Sequence, residues 1–227
     1  MQAIRGPGDR PPLSCGMPGR TSFSHSQETA LRSALAQSSA RDRLLVLMGL
    51  HLGFRISEQL SVTVGQVWDG VKVRPSLQVV RAKMKGGAGM HRRNVTSRTV
   101  PIHPLVAAAI REYLAQRAKS GPPLRPGFPL FLSRQEGKAL GRQQANRVLA
   151  AVIARAGFTA DGRWASHSLR KTFAQRLYEI SDHDIELTRA ALGHRSIATT
   201  QRYIATTEAA AAAAILAIGP TADWVAA

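Results

Sequence analysis

Four short segments of this chain carry residues whose types and spacing suit work on a phosphate. The first is Gly53-Phe54-Arg55-Ile56-Ser57-Glu58. An arginine flanked by apolar anchors, with an acid three residues on, is a guanidinium held in place, and Glu58 can orient Arg55. A surface ion pair on a helix has the same signature. The second is Arg81-Ala82-Lys83-Met84-Lys85-Gly86-Gly87. A lysine ahead of a glycine pair can reach outward from a hairpin tip into a groove, or simply stand in solvent there. The third is Ser166-His167-Ser168-Leu169-Arg170-Lys171-Thr172. His167 and Arg170 share a face if both are helical. One can move a proton and the other supplies charge, a combination that suits a phosphate. A histidine that merely caps the helix is the plainer alternative. The fourth runs from Leu192-Gly193-His194-Arg195 to Gln201-Arg202-Tyr203. It sets a histidine just past a helix stop and a tyrosine nine residues later, at the end of a short helix.

The elements that must position these residues follow from periodicity. Apolar spacing predicts helices at about Gln27–Gln37 and Ala40–Leu52, the second with Leu44, Leu45, Leu47, Met48 and Leu52 on a broad face and Gly53 as its stop. A short helix then carries Ile56 and Leu60. Val67–Lys85 alternates like strands around an Asp69-Gly70 turn, and Thr99–Ile102 reads as a last strand. Pro104 starts a helix over Leu105–Lys119. A Gly/Pro-rich loop, Ser120–Pro129, leads to a mainly helical second half, with helices expected at Gly141–Ala156, Ser168–Ile180, Asp182–Leu192, Ser196–Tyr203 and Glu208–Ala217. Ser181 and Asp184 read as a capping box for the helix ending at Leu192. The expected fold class is α+β, mainly α: a helical domain with a small three-stranded antiparallel sheet on one side.

Composition narrows the partner. The 227 residues hold 31 Lys+Arg against 14 Asp+Glu, a formal net charge of +17. After Asp69 the next acid is Glu112, and Lys72, Arg74, Arg81, Lys83, Lys85, Arg92, Arg93, Arg98 and Arg111 lie between them. A stretch this basic repels itself unless an anion neutralises it. Gly86, Gly87, Gly89 and Pro101 break any helical stripe there, which argues against an amphipathic membrane helix. Aromatic residues make up 5% of the chain, too few for a base-stacking platform and in keeping with a grip on duplex phosphates. The lone cysteine, Cys15, excludes a disulfide framework and a cysteine-rich metal site. Met1–Arg20 has no apolar core and does not read as a secretory signal, so a cytoplasmic, nucleoid-associated protein is expected.

Taken together, these boxes resemble the catalytic domain of the tyrosine recombinases, the phage-integrase family. That family's pattern is an arginine in G-x-R-x-S-E, a β-hairpin lysine, an H-x-L-R box, an L-G-H box, and a nucleophilic tyrosine nine residues past that histidine. The matching positions are Arg55, Lys85 (or Lys83), His167, Arg170, His194 and Tyr203, and the resemblance covers roughly Gln27–Ala217. It implies a DNA strand-cleaving and rejoining enzyme that works through a 3′-phosphotyrosine. Arg55, Arg170 and His194 would stabilise the phosphate charge, His167 would accept a proton, and Lys85 would act as general acid. Arg81, Lys83, Arg92, Arg93 and Arg98 would hold flanking duplex. No ATP, cofactor or metal is expected, because the arginines do the charge work that metal ions do elsewhere. The sequence also lacks the G-x-x-x-x-G-K-[ST] and H-E-x-x-H motifs.

The implied organisation is a flexible basic arm over 1–25, the catalytic domain over 26–218, and a tail over 219–227. The helix at 208–218 could dock on a neighbouring protomer, which points to a homotetramer on synapsed sites. Only 54 residues precede Arg55, too few for the helical core-binding domain of typical members. A naturally minimal enzyme or a fragment is expected, with an accessory DNA-bending or clamp protein as a possible helper. The competing readings are a type IB topoisomerase-like activity, a non-catalytic DNA-binding regulator on the same scaffold, and a basic RNA-associated protein. The last explains the charge but none of the spacings.

Overall fold

The computed structural model describes residues 22–79, 97–120, 123–133, 138–158, 164–201 and 203–204. It divides into two compact units, the first ending at Phe173 and the second beginning at Ala174.

The first unit is built around α2 (Ala40–Leu52), which Ser39 caps by accepting a hydrogen bond from the Asp42 amide. Apolar residues surround α2, so it buries on more than one side and separates two cores. Leu44, Leu45, Met48 and Leu52 face one core, with Val106, Ile110 and Leu114 of α5 (Pro104–Ser120) and Leu77 and Val79 of the sheet. Val46 and Leu50 face the other, with Leu31 and Leu35 of α1 (His25–Ala36) and Leu149, Val152 and Ile153 of α6 (Arg142–Arg155). The expected single broad face on α2 is thus two faces. Short helices α3 (Ile56–Leu60) and α4 (Val64–Val67) follow α2.

The sheet has two strands among the described residues where three were expected. β1 (Ser76–Val79) pairs antiparallel with β2 (Arg98–Pro101), in a register that sets Leu77 opposite Val100. The Asp69-Gly70 turn forms as read, with the Asp69 carboxylate accepting from the Val71 and Lys72 amides. Before β1, however, the ladder shrinks to a single bridge between Trp68 and Val73. The two hydrogen bonds of that bridge run from the Asp69 amide to the Lys72 carbonyl and from the Arg74 amide to the Val67 carbonyl, and Val67 already belongs to α4, so the ladder goes no further.

In the last turn of α2, the His51 ring stacks on His103 with centroids 4.4 Å apart. Partial burial, then His103 and Arg32, pull the His51 pKa down to about 4. The neutral ring therefore contributes stability that is complete above pH 6.5 and lost as pH falls through 4. Urea midpoints should fall over that window, and the fall should flatten in His51→Phe. An equal acid limb in both proteins would place its cause elsewhere.

Helix α7 (Ser166–Ile180) contains the division between the units. In the second unit α8 spans Ile185–Leu192, three residues shorter at its start than expected. Asp182 and His183 lie at φ 51° and 67°, outside helical space, and Asp184 alone caps by accepting from the Glu186 and Leu187 amides. Gly193, at φ 65°, ends α8 in the left-handed conformation that glycine adopts without a Cβ penalty. A short helix, α9 (Ile197–Gln201), follows.

Candidate active site

Local rules build the cluster of the first unit. Arg55 is the N-cap of α3 and Glu58 is that helix's third residue. In a capping box the third residue reaches back to the N-cap amide, and Glu58 Oε2 accepts from the Arg55 N–H at 2.8 Å. Its other oxygen accepts from Arg55 Nη1 at 2.7 Å. One carboxylate, 1% exposed, therefore fixes both the backbone and the guanidinium of Arg55. The arginine–glutamate spacing read from sequence is the spacing this box needs.

Arg170 approaches the same carboxylate from α7. It is fully buried, its Nη1 lies 4.0 Å from Glu58 Oε2, and it donates to the Gly53 carbonyl in a short contact. A third guanidinium belongs to Arg98. The sequence reading placed Arg98 on DNA, but the structure buries it to 8% exposure. Its Nη2 donates to the Leu52 carbonyl at 3.0 Å, and its Cζ lies 4.2 Å from the centre of the Phe54 ring. Residue 98 opens β2, whose alternation turns it inward, so Arg98 belongs to the cluster's support. Burial first, then the like charges of Arg170 and Arg55, push it down to about 9 against the pull of Glu58, leaving it charged at neutral pH.

The end of α2 organises both buried arginines. The last carbonyls of a helix have no partner within it and carry the negative end of its dipole. Here the Leu52 and Gly53 carbonyls take Arg98 and Arg170. Gly53 (φ 60°) is held to glycine twice, since an added Cβ would also sit 2.2 Å from the Phe173 ring. Gly53→Ala should cost about 2–4 kcal/mol from the left-handed backbone and the displaced ring, measured by urea denaturation. A loss under about 0.5 kcal/mol would mean the ring yields freely.

His167, in the first turn of α7, is exposed, one turn before buried Arg170. Both are helical, α7 starting two residues before the expected Ser168, but they stand in different surroundings.

The second unit holds a pair of its own, His194 and Tyr203. His194 is 3% exposed, just past the Gly193 stop, and its ring centroid lies 5.0 Å from that of Tyr203. The His194 amide donates to the Arg189 carbonyl, and Arg189 Nη1 returns a bond to the His194 carbonyl at 2.7 Å. Arg189 is itself held by Glu186, whose two oxygens accept from its Nε. Nδ1 of His194 lies 3.0 Å from Oγ1 of Thr200, which is fully buried. The Tyr203 amide donates to the Thr200 carbonyl at 2.8 Å.

Sequence reading did not find Leu52, Gly53 as an acceptor, Arg189 or Thr200. The first two act through backbone oxygens, which leave no side-chain signature. Thr200 sits three residues before Tyr203 inside the fourth segment, but nothing in its type marked it there. Arg81, Lys83, Lys85, Arg92 and Arg93 lie outside the described residues, as do the 1–21 part of the expected arm and the expected helix at 208–218.

Comparison with known proteins places this arrangement. Tyrosine recombinase XerD of Corynebacterium glutamicum is 36% identical over 163 residues, 72% of this chain and 47% of the relative. The chain spans about half the length of the curated relatives it matches. Among solved structures, a XerA recombinase shares the fold with a TM-score of 0.68 at 22% identity, over 95% of this chain and 68% of the other. XerH site-specific recombinase, in a post-cleavage complex with a palindromic difH substrate, does so with a TM-score of 0.67 at 21% identity, over 86% and 52%. No helix among the described residues is long and apolar enough to cross a membrane. A model of the phage integrase family matches residues 22–210, from the cap of α1 to beyond Tyr203, and the chain belongs to that family.

Proposed function

We propose that the chain is a site-specific DNA recombinase that cleaves and rejoins duplex DNA through a 3′-phosphotyrosine. The observation that carries this reading is the burial of Arg170 and Glu58 beside Arg55 and Arg98: three guanidiniums gathered about the Glu58 carboxylate. Such a cluster gathers guanidiniums where an anion can meet them. Guanidinium forks match the non-bridging oxygens of a phosphodiester. The names of its relatives, tyrosine recombinases, agree with this assignment.

In this reading Tyr203 Oη attacks phosphorus and the bond to O5′ breaks. The tyrosine proton passes to His167, and Lys85 (or Lys83) protonates the departing 5′-oxygen. Arg55, Arg170 and His194 stabilise the charge that builds on the phosphoryl oxygens, and preorganised donors of this kind are worth about 3 kcal/mol each in the transition state. A 5′-hydroxyl from another strand reverses the step, so bond energy is conserved and no nucleotide is consumed. The arginines supply the charge that a metal ion would otherwise bring.

Residues 26–218 form the catalytic domain in this assignment, and Arg81, Arg92 and Arg93 hold flanking duplex. The enzyme acts on nucleoid DNA in the cytoplasm as a homotetramer of synapsed protomers, with the helix at 208–218 docking between neighbours. An accessory DNA-bending or clamp protein assists it.

The test is trapping on nicked suicide duplexes bearing candidate sites. A denaturant-resistant protein–DNA adduct is expected, with the link at a DNA 3′ end and a free 5′-hydroxyl. Duplex binding without any adduct would instead indicate a non-catalytic regulator.

A further inference from the structure

We infer that Thr200 is a positioning residue that holds His194 as the Nε2–H tautomer. The inference rests on the proposed function only for its consequence in catalysis; its structural content stands apart. A threonine hydroxyl has one proton to give and two lone pairs, and a neutral imidazole has one donor and one acceptor nitrogen. Thr200 Oγ1 and His194 Nδ1 lie 3.0 Å apart, with the residues 0% and 3% exposed.

Two arrangements fit that distance. If His194 Nδ1 donates, the Thr200 hydroxyl proton must find another acceptor, and no carbonyl of its own helix takes it. A serine or threonine in a helix commonly returns its proton to a carbonyl four residues back. Thr29, Thr172 and Thr188 do so here, whereas the hydroxyl of Thr200 is directed at His194. A buried donor left unmade is unfavourable. If Thr200 donates to Nδ1, both groups are satisfied, and the ring proton resides on Nε2.

The backbone secures this geometry on each side. Arg189, held by Glu186, braces His194 through both its amide and its carbonyl. Thr200 in turn offers its carbonyl to the Tyr203 amide. One residue thus ties the histidine ring to the tyrosine backbone. For the proposed reaction the outcome matters, because only an Nε2–H ring can donate from that nitrogen to a phosphoryl oxygen while remaining neutral.

The experiment uses the full chain with ring-¹⁵N-labelled histidine, and long-range ¹H–¹⁵N spectra of the DNA-free protein at pH 7.5 to 8. The His194 signal is identified by its disappearance in His194→Gln. The native ring should show a protonated Nε2 and an unprotonated Nδ1. Thr200→Val, which keeps the shape and removes the donor, should move both nitrogen shifts towards a tautomer mixture. It should also slow adduct formation on the suicide duplex by about ten-fold or more. Thr200→Ser should restore the shifts and the rate. A native ring protonated on Nδ1 would overturn the inference, as would shifts unmoved in Thr200→Val. If the shifts behave as expected and the native chain forms no adduct, the functional proposal fails while the role of Thr200 stands.

Discussion

Tyr203→Phe is expected to bind duplex DNA with native affinity and to form no covalent adduct. The substitution removes one oxygen and keeps the ring, so the contact with His194, centroids 5.0 Å apart, survives and folding is little altered. The chain has three tyrosines, and the other two are poorly placed to substitute. Tyr113 is buried in the first unit against Phe131, and burial raises its pKa. Raising it favours the neutral phenol over the attacking phenolate. Tyr178 meets the His183 ring edge-on near the end of α7. Affinity should hold because phosphate contacts by the many basic residues dominate it. The measurement is paired: a gel shift for binding, and a denaturing gel for the adduct. An adduct persisting in Tyr203→Phe would move the nucleophile to another residue.

Glu58→Ala carries the second large effect, and it bears on stability first. Removing one partner of a buried ionic cluster leaves the others uncompensated, a loss of about 3–5 kcal/mol. Three guanidiniums share Glu58's surroundings, so its loss leaves like charges facing one another, and the Arg55 amide loses its acceptor too. Glu58→Gln should lose about half as much, because an amide oxygen can still accept while its –NH₂ cannot. The cause separates from simple cavity formation in a double-mutant cycle. Arg98→Met removes a charge that Glu58 attracts, so Glu58→Ala and Arg98→Met together should cost at least about 1 kcal/mol less than their sum. Urea denaturation measures all three. Strict additivity would mean that Arg98 and Glu58 do not interact.

These expectations rest on features of unequal visibility. Helix α2 was legible to the residue at both ends, because its apolar spacing is dense and the glycine after it is a strong local stop. The start of α8 was not. Asp182 and His183 are compatible with a helix by type, yet they adopt positive φ, and only the closed turn, in which the His183 amide donates to the Tyr178 carbonyl, decides against it. Among the described residues the sheet keeps two of the three expected strands, since alternation at Val71 and Val73 cannot reveal that the chain opposite them, at Val67, is still helical.

Arg98 is the sharpest case. In sequence it stands in a run of cations and looks like its neighbours. In the fold it turns inward, over Phe54 and onto the end of α2. What the sequence by itself determined was the set of candidate side chains and, for Arg55, Glu58 and His194, their local frames, because capping boxes and glycine stops act within a few residues of their own positions. What only the tertiary structure decided was which charges share one buried carboxylate, and which backbone oxygens and hydroxyls aim them. Those depend on where separate elements meet, and burial there turns weak surface attractions into strong, directional ones.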